Sequence, residues 1–161
     1  MATNKHITEE QALQRLAALC SQGEHCQQEL VEKMQKWEVP EDAQARIMEY
    51  LVKERYVDDE RYCRGMIHDK REYNHWGPRK IEQALWAKGI ARETYAPLIA
   101  EVDDEKWIEI LKPLLAQKRR STKGKNDYEI NQKLLRFALG RGFLYEHAKE
   151  CINGDIEDEE W

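Results

Sequence analysis

Gly77-Pro78-Arg79-Lys80-Ile81-Glu82-Gln83-Ala84-Leu85-Trp86-Ala87-Lys88-Gly89-Ile90 reads as one short helix with both ends marked. A proline in the first helical turn sacrifices nothing, because the N–H it lacks has no acceptor there. Gly89 suits the left-handed residue that closes a helix. Between them Ile81 and Leu85 stand four apart, on one face. The pattern occurs twice more. Leu30, Met34 and Val39 precede it, and Leu134, Ala138 and Phe143 follow, each trio in register with Ile81, Leu85 and Ile90. The offsets are 51 and 53 residues.

Working outward, the register extends to both sides of this helix. On the C-terminal side Ile47, Leu98 and Cys151 correspond. On the N-terminal side Ala12, Tyr62 and Trp107 align, followed by Leu16, Met66 and Leu111. A self-similar period of this length is the mark of a repeat architecture. The chain therefore reads as all-α, with three tandem three-helix units at 8–57, 58–102 and 103–154, then an acidic tail at 155–161 that is expected to be mobile. Helices are expected near 9–21, 25–37, 41–55, 59–73, 78–88, 92–101, 104–119, 128–140 and 144–152. Units of about fifty residues bury too little surface to stand comfortably alone. Stacking on neighbours supplies the rest, which predicts an elongated, curved array.

Local chemistry agrees with this division. Thr8 and Gln11 have capping-box spacing. Asp58-Asp59-Glu60 and Asp103-Asp104-Glu105 open two units with the negative charge that a helix N-terminus favours. Capping explains these acidic pairs without any catalytic role, since a carboxylate pair in catalysis must face one cleft. Gly89 and Gly142 fall at helix ends, so Gly140-Arg141-Gly142 reads as a C-cap.

Composition excludes several classes. Of 161 residues, 41 % are hydrophobic and 35 % charged, and no run approaches the 18 apolar residues of a membrane span. Five Trp and seven Tyr are too many for a wholly disordered chain. There is no GxxxxGK[ST] loop and no HExxH. His147 and Cys151, or His25 and Cys26 near Cys20, are scattered pairs and do not make the closed ligand set that zinc needs. Cys20, Cys26, Cys63 and Cys151 include no CxxC, and Met1–Thr8 lacks the basic and apolar regions of a signal peptide. Reduced thiols in a cytoplasmic protein are expected. No enzyme activity, metal or cofactor is indicated.

Charge is the informative feature. The net charge is −5, from 26 basic and 31 acidic residues, so any polyanion contact must be local. From Arg64 to Arg92 seven cations face only Asp69, Glu72 and Glu82. Lys118, Arg119, Arg120, Lys123 and Lys125 follow one another with no acid between them, where a helix end runs into Ser121, Thr122, Gly124 and Asn126. Such a segment suits phosphate or an acidic protein groove; equally, it suits a solvated helix end. In His75-Trp76-Gly77-Pro78-Arg79-Lys80 the tryptophan is expected chiefly to pack the turn, with base stacking as the alternative.

Tyr56-Val57-Asp58-Asp59-Glu60-Arg61-Tyr62 resembles the junction between the first and second repeats of the RecX family, bacterial regulators of the RecA recombinase. The stretch from Gly77 to Ile90 is similar to the second helix of that family's central repeat, and Glu29-Leu30 with Met34 to its first repeat. The resemblance covers roughly 10–153, and the third repeat is its loosest part. Cys26 stands where the family often has a small hydroxyl residue, and Lys36-Trp37-Glu38 replaces the glycine turn that Lys88-Gly89 keeps.

The resemblance implies a non-enzymatic regulator that lies along the groove of the RecA–DNA filament and reduces RecA's ATP hydrolysis, strand exchange and co-protease action. It implies RecA and the RecA–DNA filament as partners, at most weak direct DNA binding, and no cofactor or membrane. A monomer is expected. The contact residues expected here are Arg71, Arg79, Lys80 and Lys88 on the central unit, with Lys118, Arg119, Arg120, Lys123 and Lys125 as a second patch. The alternative is a nucleic-acid-binding helical-repeat module that affects RecA indirectly, by competing for DNA. A scaffold for some other partner is a third class.

Overall fold

The computed structural model describes residues 7–152 and Ile156. Among the described residues there are nine helices and no strand: α1 (Glu9–Gln22), α2 (Gln27–Lys36), α3 (Glu41–Lys53), α4 (Asp59–Glu72), α5 (Pro78–Ala87), α6 (Arg92–Ala100), α7 (Asp104–Ser121), α8 (Asp127–Gly140) and α9 (Tyr145–Cys151). Every expected helix is present, with its ends within two residues. Of the acidic tail only Ile156 is described, and it packs against the apolar core. The rest of that segment lies outside the described residues.

The helix starts follow from side-chain acceptors. The Thr8 hydroxyl accepts the Gln11 N–H at 3.0 Å, and the Gln11 side chain accepts the Thr8 N–H at 2.9 Å. Asp58 accepts the Arg61 N–H at 3.1 Å, and Pro78 sits in the first turn of α5. The second aspartate of each acidic pair works at longer range. Asp59 accepts the Gln27 N–H at the start of α2, at 2.8 Å. Asp104 meets Nε2 of His147 at 2.8 Å.

His147 is 1 % exposed, and its Nδ1 accepts the Leu144 N–H at 3.3 Å. Its Nε2 therefore carries the hydrogen that Asp104 accepts, and the ring ties α9 to the start of α7. His147→Ala leaves the part-buried Leu144 N–H unpaired and opens a cavity. We expect it to cost about 2 kcal/mol, lowering the thermal midpoint by about 4–8 °C. A melting curve checks this.

The helices pack as consecutive triads. α1 and α2 lie on α3; α4, α5 and α6 contact one another; so do α7, α8 and α9. The register of the second helices holds throughout: Leu30, Ile81 and Leu134 are buried, as are Met34, Leu85 and Ala138, and Val39, Ile90 and Phe143. The first helix of the second triad departs from expectation by one residue. Cys63 and Ile67 face the core there, while Tyr62 and Met66 lie on its flank, partly buried. Cys63 and Ile67 stand 51 residues after Ala12 and Leu16, the spacing already set by Leu30 and Ile81. The larger side chains resembled core residues, but the constant spacing was the better guide. Cys151 is likewise only half-buried, and the core position of α9 belongs to Ala148.

The three second helices end in the same turn. Gly89 and Gly142 have φ of 75° and 93°, and Glu38 adopts 59° at the corresponding place. A side chain at such a φ costs roughly 1–2 kcal/mol. A Cβ on Gly142 would lie 2.5 Å from the Lys80 nitrogen and one on Gly89 3.1 Å from Gln28 Cγ, whereas Glu38 is exposed. Glycine is thus required where a turn seats against the preceding triad. The first triad has no predecessor in the described chain.

The thiols are apolar fillers. All four cysteines are free. Burial pushes the Cys63 thiol up to about 12 and raises those of Cys20, Cys26 and Cys151, so they stay protonated near neutral pH. Cys151 donates to the Ile108 carbonyl at 3.8 Å, so neither it nor His147 is set out as a metal ligand. Among the described residues no three His, Cys, Asp or Glu side chains gather as a metal site would.

Candidate functional site

Several arginines on the helix faces are matched by carboxylates. Arg46 pairs with Glu9 at 2.7 Å, Arg61 with Glu24 at 2.7 Å, and Arg64 with Glu101 at 2.9 Å and Glu60 at 3.1 Å. Exposed pairs of this kind add little stability, but they cancel the local field.

A different arrangement occupies the seam between the second and third triads. The Trp76 ring, half-buried in the turn before α5, has Lys70 Nζ at 4.9 Å and Lys80 Nζ at 4.6 Å from its centroid. The Phe137 ring on α8 has Lys118 Nζ at 5.1 Å and Arg141 Cζ at 5.7 Å. Arg141 joins the two clusters by donating to the carbonyls of His75 at 3.2 Å and Asn74 at 2.5 Å. None of these four cations pairs with a carboxylate among the described residues. Aromatic faces attract cations weakly when exposed, so each charge is steadied against the surface without being neutralised.

The seam has its own local causes. Trp76 is placed by its N–H bond to the Lys70 carbonyl at 3.0 Å, which folds the chain back at the end of α4. Arg141 follows the last residue of α8, and its carbonyl accepts the Gly77 N–H at 2.8 Å. Beyond Lys118 the loop is braced by Thr122 Oγ1 donating to the Lys118 carbonyl at 2.7 Å and Lys133 Nζ to the Lys123 carbonyl at 2.5 Å. The last turn of α7 and that loop carry the exposed Arg120, Lys123 and Lys125, none ion-paired among the described residues.

The nine residues expected to make contact divide into two groups. Arg79, Lys80, Lys118, Arg120, Lys123 and Lys125 present cations without carboxylate partners among the described residues. Arg71, Lys88 and Arg119 are occupied internally. Arg71 binds Glu72 at 3.2 Å and lines a groove of about 460 Å³ with Ile67, Leu98 and Val102. Lys88 binds Glu29 at 3.3 Å, between the first two triads. Arg119 donates to Oδ1 of the buried Asn131 at 2.7 Å.

Lys70 and Arg141 join the seam although neither was expected to. Lys70 belongs to the basic stretch between Arg64 and Arg92, so composition pointed toward it. Arg141 was concealed in a Gly-Arg-Gly helix end whose glycines explained themselves. Trp86, by contrast, is 70 % exposed on the outer side of α5, the face that also carries Arg79.

Comparison with known proteins places the chain in a family. Residues 58–96 match the model of the second three-helix domain of RecX, and residues 104–152 that of the third. The regulatory protein RecX of Actinobacillus pleuropneumoniae is 29 % identical over 157 residues, covering 96 % of this chain and 99 % of the relative. That of Lactobacillus johnsonii is 34 % identical over 123 residues, 75 % of this chain but only 45 % of the relative. The fold resembles the crystal structure of RecX from Lactobacillus salivarius, with a TM-score of 0.82 at 18 % identity over 89 % of this chain and 94 % of that one. A further crystal structure of regulatory protein RecX gives 0.81 at 20 % identity, over 89 % and 72 %. Family models matched over more than half of the chain, the relatives' sequences and the shared three-helix architecture agree: the chain belongs to the RecX family of regulatory proteins.

Proposed function

We propose that this protein regulates RecA by lying along the RecA–DNA filament, with the units 8–57, 58–102 and 103–154 as successive contact modules. It thereby restrains ATP hydrolysis, strand exchange and co-protease action, and so modulates DNA repair and the SOS response. It acts as a cytoplasmic monomer and performs no catalysis itself. One observation carries this reading: on a chain of net charge −5, uncompensated cations converge at the seam formed by Lys70, Lys80, Lys118 and Arg141.

Such a patch recognises negative charge, either acidic side chains of a filament groove or DNA phosphates within it. Weak contacts repeated along an array reinforce one another through effective concentration, so no single strong site is needed. Among the described residues no helix is long and apolar enough to cross a membrane.

The basic loop offers a direct test. Arg120→Glu with Lys125→Glu adds repulsion without touching the bond between Arg119 and Asn131. Inhibition of RecA's ATP hydrolysis is expected to need several-fold more protein. An unchanged titration would remove the loop from the contact surface.

A further inference from the structure

The two seams of the array are built on the same plan from different materials. At the second, the turn closing α8 rests on the start of α5, and main chain meets main chain. The Gly77 N–H donates to the Arg141 carbonyl at 2.8 Å and the Arg79 N–H to the Gly142 carbonyl at 2.9 Å. No side chain fits between them: a Cβ on Gly77 would fall 2.2 Å from the Phe143 nitrogen. A single apolar cluster runs through both triads, from Cys63 and Ile67 to Trp107, Leu111 and Phe143.

At the first seam the corresponding turn, Lys88–Gly89, rests on the start of α2. Cys26 occupies the place of Gly77, and a thiol replaces the main-chain contact: Cys26 Sγ meets the Lys88 carbonyl at 3.6 Å. Gly89 faces the Gln28 side chain. The other ties use side chains as well: Lys88 to Glu29, Arg61 to Glu24 and to the carbonyls of Arg55 and Tyr56, and the Asp59 carboxylate to the Gln27 N–H. No backbone-to-backbone hydrogen bond crosses this seam among the described residues. The first triad keeps its own apolar cluster, from Ala12 to Val57, and Cys26 is its one described residue in the other.

We propose that the first triad is a hinged arm, pivoting on the link at 54–58 and on the Cys26 contact, while the second and third triads move as one body. The physical difference is stiffness. Main-chain bonds and a shared close-packed core have one arrangement. Side-chain ties have alternative rotamers, and the ion pairs here are partly open to solvent, with side-chain exposures of 41 % and 46 % for Arg61 and Glu24. Salt screens such pairs. The link itself contains Arg55 at φ 61° and ends on the Asp58 cap of α4. A protein that engages the second and third triads then leaves the first free to adjust its angle. The inference goes beyond the function proposed above and does not depend on RecA being the partner.

The test measures two distances in the full chain. Nitroxides are attached through keto-bearing residues, which spares the native cysteines, at the exposed positions Glu49 on α3, Glu93 on α6 and Ala116 on α7. Pulsed dipolar spectroscopy then reads each distribution as salt rises from about 0.1 to about 1 M, where the screening length falls from about 10 to about 3 Å. The distribution between positions 49 and 93 is expected to be the broader and to widen with salt. The one between 93 and 116 is expected to stay narrow. Glu24→Gln with Glu29→Gln is expected to reproduce the widening at low salt, with a melting curve showing that the chain remains folded. Equal widths for the two pairs at both salt concentrations would overturn the hinge, as would equal widening of both.

Discussion

Gly77→Ala is expected to lower the thermal midpoint by about 6–12 °C, the shift that corresponds to about 3 kcal/mol in a chain of this size. The added methyl would stand 2.2 Å from the Phe143 nitrogen and 2.3 Å from the Gly142 carbonyl carbon. Both are backbone, so no side-chain rotation relieves the clash. Overpacking of this kind typically costs about 1–3 kcal/mol. Separating the two strands of main chain also weakens the Gly77–Arg141 and Arg79–Gly142 hydrogen bonds, each worth about 1 kcal/mol net. Gly65→Ala is the control. It lies within α4, and no atom stands within 4 Å of its Cβ position. Alanine there is expected to be neutral or to stabilise by up to about 1 kcal/mol, because glycine carries excess backbone entropy into a helix. Circular dichroism melts of the two variants decide the matter. A Gly77→Ala midpoint equal to that of Gly65→Ala would mean that the second seam is not the close backbone contact described.

The triple variant Lys70→Gln, Lys80→Gln and Lys118→Gln is expected to raise the concentration needed for half-inhibition of RecA by about tenfold or more. Glutamine keeps an amphipathic stem beside Trp76 and Phe137 while removing the charge. A reduction of about 0.5 kcal/mol at each of the three lysines makes up the roughly 1.4 kcal/mol of a tenfold change. Where the partner groups are DNA phosphates, the dependence of log affinity on log salt should also become shallower, by about 0.7–0.9 for each phosphate no longer neutralised. Arg46→Gln is the comparison, since its guanidinium already pairs with Glu9 on the first triad. A triple variant within twofold of the parent would show that the seam is not the contact surface.

The helices were legible because their signals are local. Thr8 with Gln11, Asp58, Pro78, Gly89 and Gly142 mark ends within a few residues of themselves, and Ile81 with Leu85 sets a register that repeats along the chain. Tyr62 and Met66 lie one position off the core, because the small Cys63 together with Ile67 fills it. The proposed contact surface was only half legible. Basic stretches are visible in sequence, but compensation is spatial: Lys88 and Glu29 are 59 residues apart, and Arg119 and Asn131 are 12 apart. The same holds for Arg141, which reaches the 74–75 carbonyls only because the second and third triads stack. The replacement of Gly by Glu38 in the first unit was legible as a departure, and the exposed turn supplies its reason.

The most direct measurement is RecA's ATP hydrolysis on single-stranded DNA while this protein is titrated in, alongside a matched titration onto the same DNA without RecA. Inhibition at ratios well below one molecule per RecA, with little binding to bare DNA, is the result this account predicts. Inhibition appearing only as the DNA itself saturates would contradict it and assign the effect to competition for DNA. No inhibition at any ratio would contradict the regulatory reading altogether, leaving the three-helix array without RecA as its partner.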